Sequence, residues 1–93
     1  MRLGNCIIKI YIPNATSLKE KRSVLKGLKD KIRTKYNVAI SEIGENDNHR
    51  VSVLAVATVA NKHQYVNKVL SSVVAFMEKQ RHFDIIDYTT EIL

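Results

Sequence analysis

The chain predicts an α+β sandwich in which strands and helices follow one another as β-α-β-β-α-β. Three observations carry that prediction. Four stretches alternate side chains at period two and are rich in Val, Ile and Tyr. Two longer stretches, one after the first strand and one after the third, repeat apolar residues at three- and four-residue spacing. The polar segment G-E-N-D-N-H, residues 44–49, joins the middle two strands and is a natural hairpin connection. At 93 residues, 45% hydrophobic and 26% charged, the composition is that of one globular domain spanning 1–93.

Residues 3–12, L-G-N-C-I-I-K-I-Y-I, form the first expected strand. Cys6, Ile8, Ile10 and Ile12 share one face, and Ile7, Lys9 and Tyr11 the other. Pro13 ends the ladder because it has no N–H to donate. The first helix is expected over Ser17 to Tyr36. Ser17 is a good N-cap, and Glu20, three residues on, completes the spacing of a capping box. Leu18, Leu25, Leu28, Ile32 and Tyr36 define the buried stripe, with Val24 on its flank. Gly27 falls roughly opposite the centre of that stripe, where it costs about 1 kcal/mol of helix propensity. It reads either as a tolerated surface glycine or as a point where a partner or phosphate comes close.

The second strand is expected over residues 37–44, with Val38, Ile40 and Glu42 on one side. The third follows over 50–60, with neither face strongly polar, as expected of a central strand that is at least partly covered on each face. Asn61 is placed to cap the second helix, with Gln64 as its capping-box partner and a span of 62–81. Val66, Val69, Leu70, Val73, Phe76 and Met77 form that helix's apolar face. The last strand covers 83–93, where Ile86, Tyr88, Thr90 and Ile92 alternate with Ile85, Asp87, Thr89 and Glu91. Two right-handed crossovers put both helices on one face of a four-stranded antiparallel sheet, which is the ferredoxin-like arrangement. The opposite sheet face lacks the polarity of a solvated surface. Self-association across it is expected, as a homo-oligomer and in the first instance a dimer.

The start of the chain shows no signal peptide, and no apolar run approaches membrane-spanning length, so a cytoplasmic protein with no membrane partner is expected. The single Cys6 excludes an internal disulfide and a multi-cysteine zinc site; it reads as a small buried hydrophobe.

Charge is the functional signal. The chain carries 15 Lys and Arg against 9 Asp and Glu, and the whole excess of +6 falls between Lys19 and Lys35, where 8 basic residues meet 2 acidic ones. Lys19, Arg22, Lys26, Lys29 and Arg33 form one stripe beside the apolar one, and Lys21, Lys31 and Lys35, nearer the other flank, broaden the field. From Lys19 to Arg33 the helix rises about 21 Å, enough to follow several phosphates of an RNA backbone. The same stripe suits an acidic protein partner, or a solvated face that confers solubility. The basic residues near the helix N-terminus oppose the helix dipole, so they are poor candidates for stability alone and fit the attraction of an anion.

Other chemistries find less support. An RNA-recognition sheet needs aromatics on its open face, and the third strand has none while the first offers only Tyr11. The acylphosphatases share the expected topology, but the P-N-A-T-S segment after the first strand lacks their glycine- and arginine-bearing phosphate loop. Glu42, Glu45, Asp47 and His49 are the residues a metal-dependent hydrolase would have to use; a polar hairpin has the same composition without a metal. No catalytic residue, metal or cofactor is expected, and binding rather than catalysis is the function class favoured.

The segments S-L-K-E-K-R-S-V-L-K, N-V-A-I-S-E-I-G-E and A-V-A-T-V-A-N together resemble the small YlxP-like bacterial family over nearly the whole chain. The resemblance implies a ferredoxin-like domain, often self-associating, whose genes commonly lie near ribosome-maturation and translation genes, and it implies no enzymatic activity. Its characteristic positions are Ser17, Leu18, Lys19, Lys21, Arg22, Leu25, Lys26, Glu42, Gly44, Glu45 and Asn61. The leading expectation is a small protein that contacts RNA or a ribosomal particle through its first helix.

Overall fold

A computed structural model describes all residues, 1–93. The elements run β1 (Arg2–Tyr11), α1 (Leu18–Lys35), β2 (Ala39–Gly44), β3 (Val51–Ala60), α2 (His63–Glu78) and β4 (Asp84–Ile92). The strands form one antiparallel sheet in the order β2-β3-β1-β4, so the two longest strands are central and β2 and β4 are edges. This is the expected ferredoxin-like α+β arrangement.

Period-two patterning built the core as anticipated. Cys6, Ile8 and Ile10 of β1, Ile12 just beyond it, and Leu54 and Val56 of β3 are all buried beneath the helices. Leu25, Leu28 and Ile32 of α1 and Val66, Leu70, Val73 and Met77 of α2 close over them. Val74 joins this core, whereas Phe76 packs at its margin. Gly4 allows the close approach of α2: a Cβ there would collide with the Val66 side chain. Burial pushes the Cys6 thiol above its ordinary pKa, with the Thr90 hydroxyl opposing part of that shift, so the residue sits as a protonated core side chain.

Three local expectations need correction. Ser17 does cap α1, accepting from the Glu20 amide at 3.1 Å. The Glu20 carboxylate, however, takes the Thr16 hydroxyl rather than the Ser17 amide, so the capping box is not closed. At α2 the N-cap is Lys62, with no side-chain cap bond, and Asn61 lies one residue too early to serve. In β4 the register with β1 slips between Lys9↔Asp87 and Ile10↔Ile85, which leaves Ile86 as an extra residue, 52% exposed at the sheet edge. No helix is long and apolar enough to cross a membrane.

The sheet face turned away from the helices carries Val51, Val53, Ala55, Ala57 and Val59 of β3. Beside them lie Leu3 and Ile7 of β1 and Ala39 and Ser41 of β2. Leu3 and Val59 are exposed.

Candidate nucleic-acid interface

The first helix presents two basic surfaces of different kinds. Five of the expected contact residues lie outside the core. Lys19, Arg22, Lys26 and Arg33 are exposed and Lys29 is half-buried. The stripe follows the flank of α1 beside the edge strand β2, as shown by the Arg33 guanidinium donating to the Ile40 carbonyl at 3.0 Å. That bond fixes the C-terminal end of the row and leaves other guanidinium N–H groups free. None of these five residues has a carboxylate within 4.0 Å, because the protein's one ion pair is elsewhere. The charges are therefore uncompensated by direct pairing and project into solvent as one field.

Lys21 is the correction. It was expected among the contact residues, and it is fully buried. Its Nζ lies 2.8 Å from Glu42 Oε2 and donates to the backbone carbonyls of Glu45 at 2.9 Å and Val51 at 3.1 Å. Ser52, itself buried, donates its hydroxyl to the same Glu42 oxygen at 2.7 Å. Every donor of the ammonium is thus used, and no anion can reach it. The reason is helical geometry: Lys21 stands four residues before Leu25, so it falls on the apolar stripe and not beside it.

The β2–β3 turn is shaped to receive it. Glu45 adopts a left-handed backbone at φ 58°, and its carbonyl accepts both Lys21 and the Asn48 amide at 3.0 Å. The Asn48 side chain accepts the amides of Arg50 and Val51 at 2.9 and 3.2 Å. Arg50 in turn donates to the Ala15 carbonyl at 3.2 Å, tying the turn to the segment before α1. Glu42, Glu45, Asp47 and His49 do not converge; no group of three or more His, Cys, Asp or Glu is arranged to hold a metal ion.

Sequence reasoning missed two assemblies. One is the Lys21–Glu42–Ser52 cluster, for which the signals were a lysine in register with Leu25, Leu28 and Ile32 and a glutamate in register with Ile40. The other is a cleft of about 270 Å³ between α1 and the α2–β4 connection, into which Gly27 faces. Its second wall, Gln80, His82 and Phe83, is distant in sequence and gave no sign of belonging there.

The family model described as "Protein of unknown function (DUF503)" matches residues 3–90. "Uncharacterized protein YlxP" of Bacillus subtilis (strain 168) is 40% identical over 76 residues, covering 82% of this chain and 83% of that protein. With a match spanning both helices and nearly all of the sheet, this chain belongs to the DUF503 family, and its likeness to YlxP lies within that membership.

Proposed function

We propose that the protein is a cytoplasmic binding protein that holds RNA, free or in a ribosomal particle, by its phosphate backbone along the outer stripe of α1. One observation carries this: Lys19, Arg22, Lys26, Lys29 and Arg33 form a row with no paired carboxylate, while the one basic residue of the helix that needs a partner for folding, Lys21, has one. A helix row about 21 Å long matches a run of phosphates and reads no base edges, so binding along it is driven by counterion release and tolerates sequence. If each of the five cations meets one phosphate of a single strand, the logarithm of the binding constant falls with log salt at a slope of about −3.5. Neutralising Lys19, Arg22 and Lys26 to Gln reduces that slope to about −1.4. Titrating a labelled single-stranded oligonucleotide over a series of salt concentrations checks this. A slope unchanged in the triple variant sinks the proposal, and nuclease-resistant capture of an acidic protein by the same residues would assign the stripe to that partner instead.

The open sheet face favours a second copy of the chain. Ten consecutive β3 residues carry no charge, and the outward set, Val51, Val53, Ala55, Ala57 and Val59, is flanked on β1 by Leu3, Asn5 and Ile7, with Lys9 the one β1 charge facing it, opposite Val53. Strands of 10, 6, 10 and 9 residues, rising about 3.3 Å per residue and spaced about 4.8 Å apart, present on the order of 550 Å² per copy, which brings a face-to-face pair just above the roughly 1,000 Å² expected of a specific interface. Sedimentation should give twice the 10.6 kDa chain mass. Ala55→Asp, at the centre of the face, should give a folded monomer; a monomeric parent protein overturns the dimer.

A further inference from the structure

The cleft beside Gly27 lies on the flank of α1 away from the Lys19–Arg33 stripe. Val24, Leu28 and Phe83 form its apolar floor. Ser23 and Lys31 of α1 face His82 across it. Lys31 and His82 are exposed, and neither is joined to a carboxylate. Gln80 gives its Nε2 to the Phe76 carbonyl at 3.2 Å, which leaves its side-chain oxygen as an acceptor at the rim. At Gly27 an added Cβ would meet nothing within 4 Å. The glycine is therefore not demanded by packing; its effect is to leave the cleft mouth open toward the outer surface of the helix, next to Lys26.

From this geometry we infer that the cleft receives a single nucleobase carrying a phosphate, with the ring on the Val24–Leu28–Phe83 floor and its phosphate at Lys31. The inference deepens the RNA reading and rests on it for one of its two ligand sources: a base splayed out of a strand whose backbone follows the stripe and crosses α1 over Gly27. The other source is a free nucleotide, which has the same chemistry. The volume is slightly below the usual range for small-molecule pockets and is large enough for one base. A duplex cannot offer that base without unpairing it, so the cleft selects single strands while the stripe accepts either form.

The test uses the full chain and three probes at low salt: a labelled oligouridylate, a duplex of the same length, and uridine monophosphate. Gly27→Gln fills the cleft mouth from an exposed position, and His82→Ala cuts back one side chain of the opposite wall without touching the helix. Both variants should bind the single strand roughly tenfold more weakly and the duplex as the parent does, the size expected for losing one stacked base. Saturable amide shifts at Gly27, Lys31 and His82 with the monophosphate, competing with the oligonucleotide, identify free nucleotide as a ligand. Shifts with the oligonucleotide alone identify the splayed base. If both variants bind both RNAs like the parent while the Lys19/Arg22/Lys26 variant is weakened, the cleft inference is overturned and the stripe reading stands. If the parent binds none of the three probes, both fall.

Discussion

On the inner side of α1, Lys21 is fully buried and spends its charge on Glu42 and two backbone carbonyls. One residue further on, Arg22 belongs to an outward row of cations with no carboxylate partner. The two positions have the same charge and differ by the roughly 100° turn between neighbouring helix residues. That turn separates a lysine that makes the fold from an arginine available to a ligand. The inner cluster also orders the molecule: Lys21 fastens the first turn of α1 to both ends of the β2–β3 connection, at Glu45 and at Val51. The stripe is thereby held at a fixed angle to the edge of the sheet.

Lys21→Met is the strongest way to break this contrast. It keeps most of the side-chain volume and removes the charge, leaving the Glu42 carboxylate with only the Ser52 hydroxyl, the Glu45 carbonyl with only the Asn48 amide, and the Val51 carbonyl without the ammonium. Losing one member of a buried pair costs about 3–5 kcal/mol, and because Glu42 keeps some solvent contact the expected loss is near the lower figure, about 3 kcal/mol. For a domain of this size that lowers the melting temperature by more than about 10 °C. Replacing both partners, Lys21→Met with Glu42→Leu, should recover a large part of the loss, since no charge is then stranded. Denaturant melts of the single and double variants measure it. Equal stability of Lys21→Met and the parent protein would remove the inner side of the comparison. Arg22→Gln, by contrast, should change stability by less than about 0.5 kcal/mol.

The difference between these two sides explains how much of the molecule was legible in its sequence. The sheet was, because Cys6, Ile8, Ile10 and Ile12 alternate with residues that stay outside the core, and a one-residue slip would turn every one of them outward. The first helix was, because Ser17 and the Leu25–Leu28–Ile32 spacing fix its start and its inner face. The stripe was legible as a row of charge. Lys21 reads by its charge as part of the outer field, whereas its spacing to Leu25 puts it on the buried side. The Gly27 cleft was not legible, because its walls come from α1 and from residues 80–83 and meet only through tertiary packing. The α2 start differs from the sequence expectation for a smaller reason: Asn61 is a good cap by residue type, but the helix begins after Lys62.

Gly27 gives a smaller effect than Lys21, of opposite sign, and separates stability from function within the outer surface itself. It sits in the interior of an 18-residue helix, is exposed, and has no neighbour that a methyl group would touch. Glycine in such a place gives up more backbone freedom on folding than alanine, so Gly27→Ala should stabilise the protein by up to about 1 kcal/mol. The methyl group is too small to close the cleft, whereas glutamine reaches across its mouth. Alanine should therefore raise the melting temperature by at most about 4–8 °C and leave oligonucleotide affinity where it was. A stabilised Gly27→Ala protein with undiminished binding places the requirement at this position on side-chain length. A Gly27→Ala protein that melts lower than its parent would mean that the helix there is held by a contact that the open surface at Gly27 does not contain.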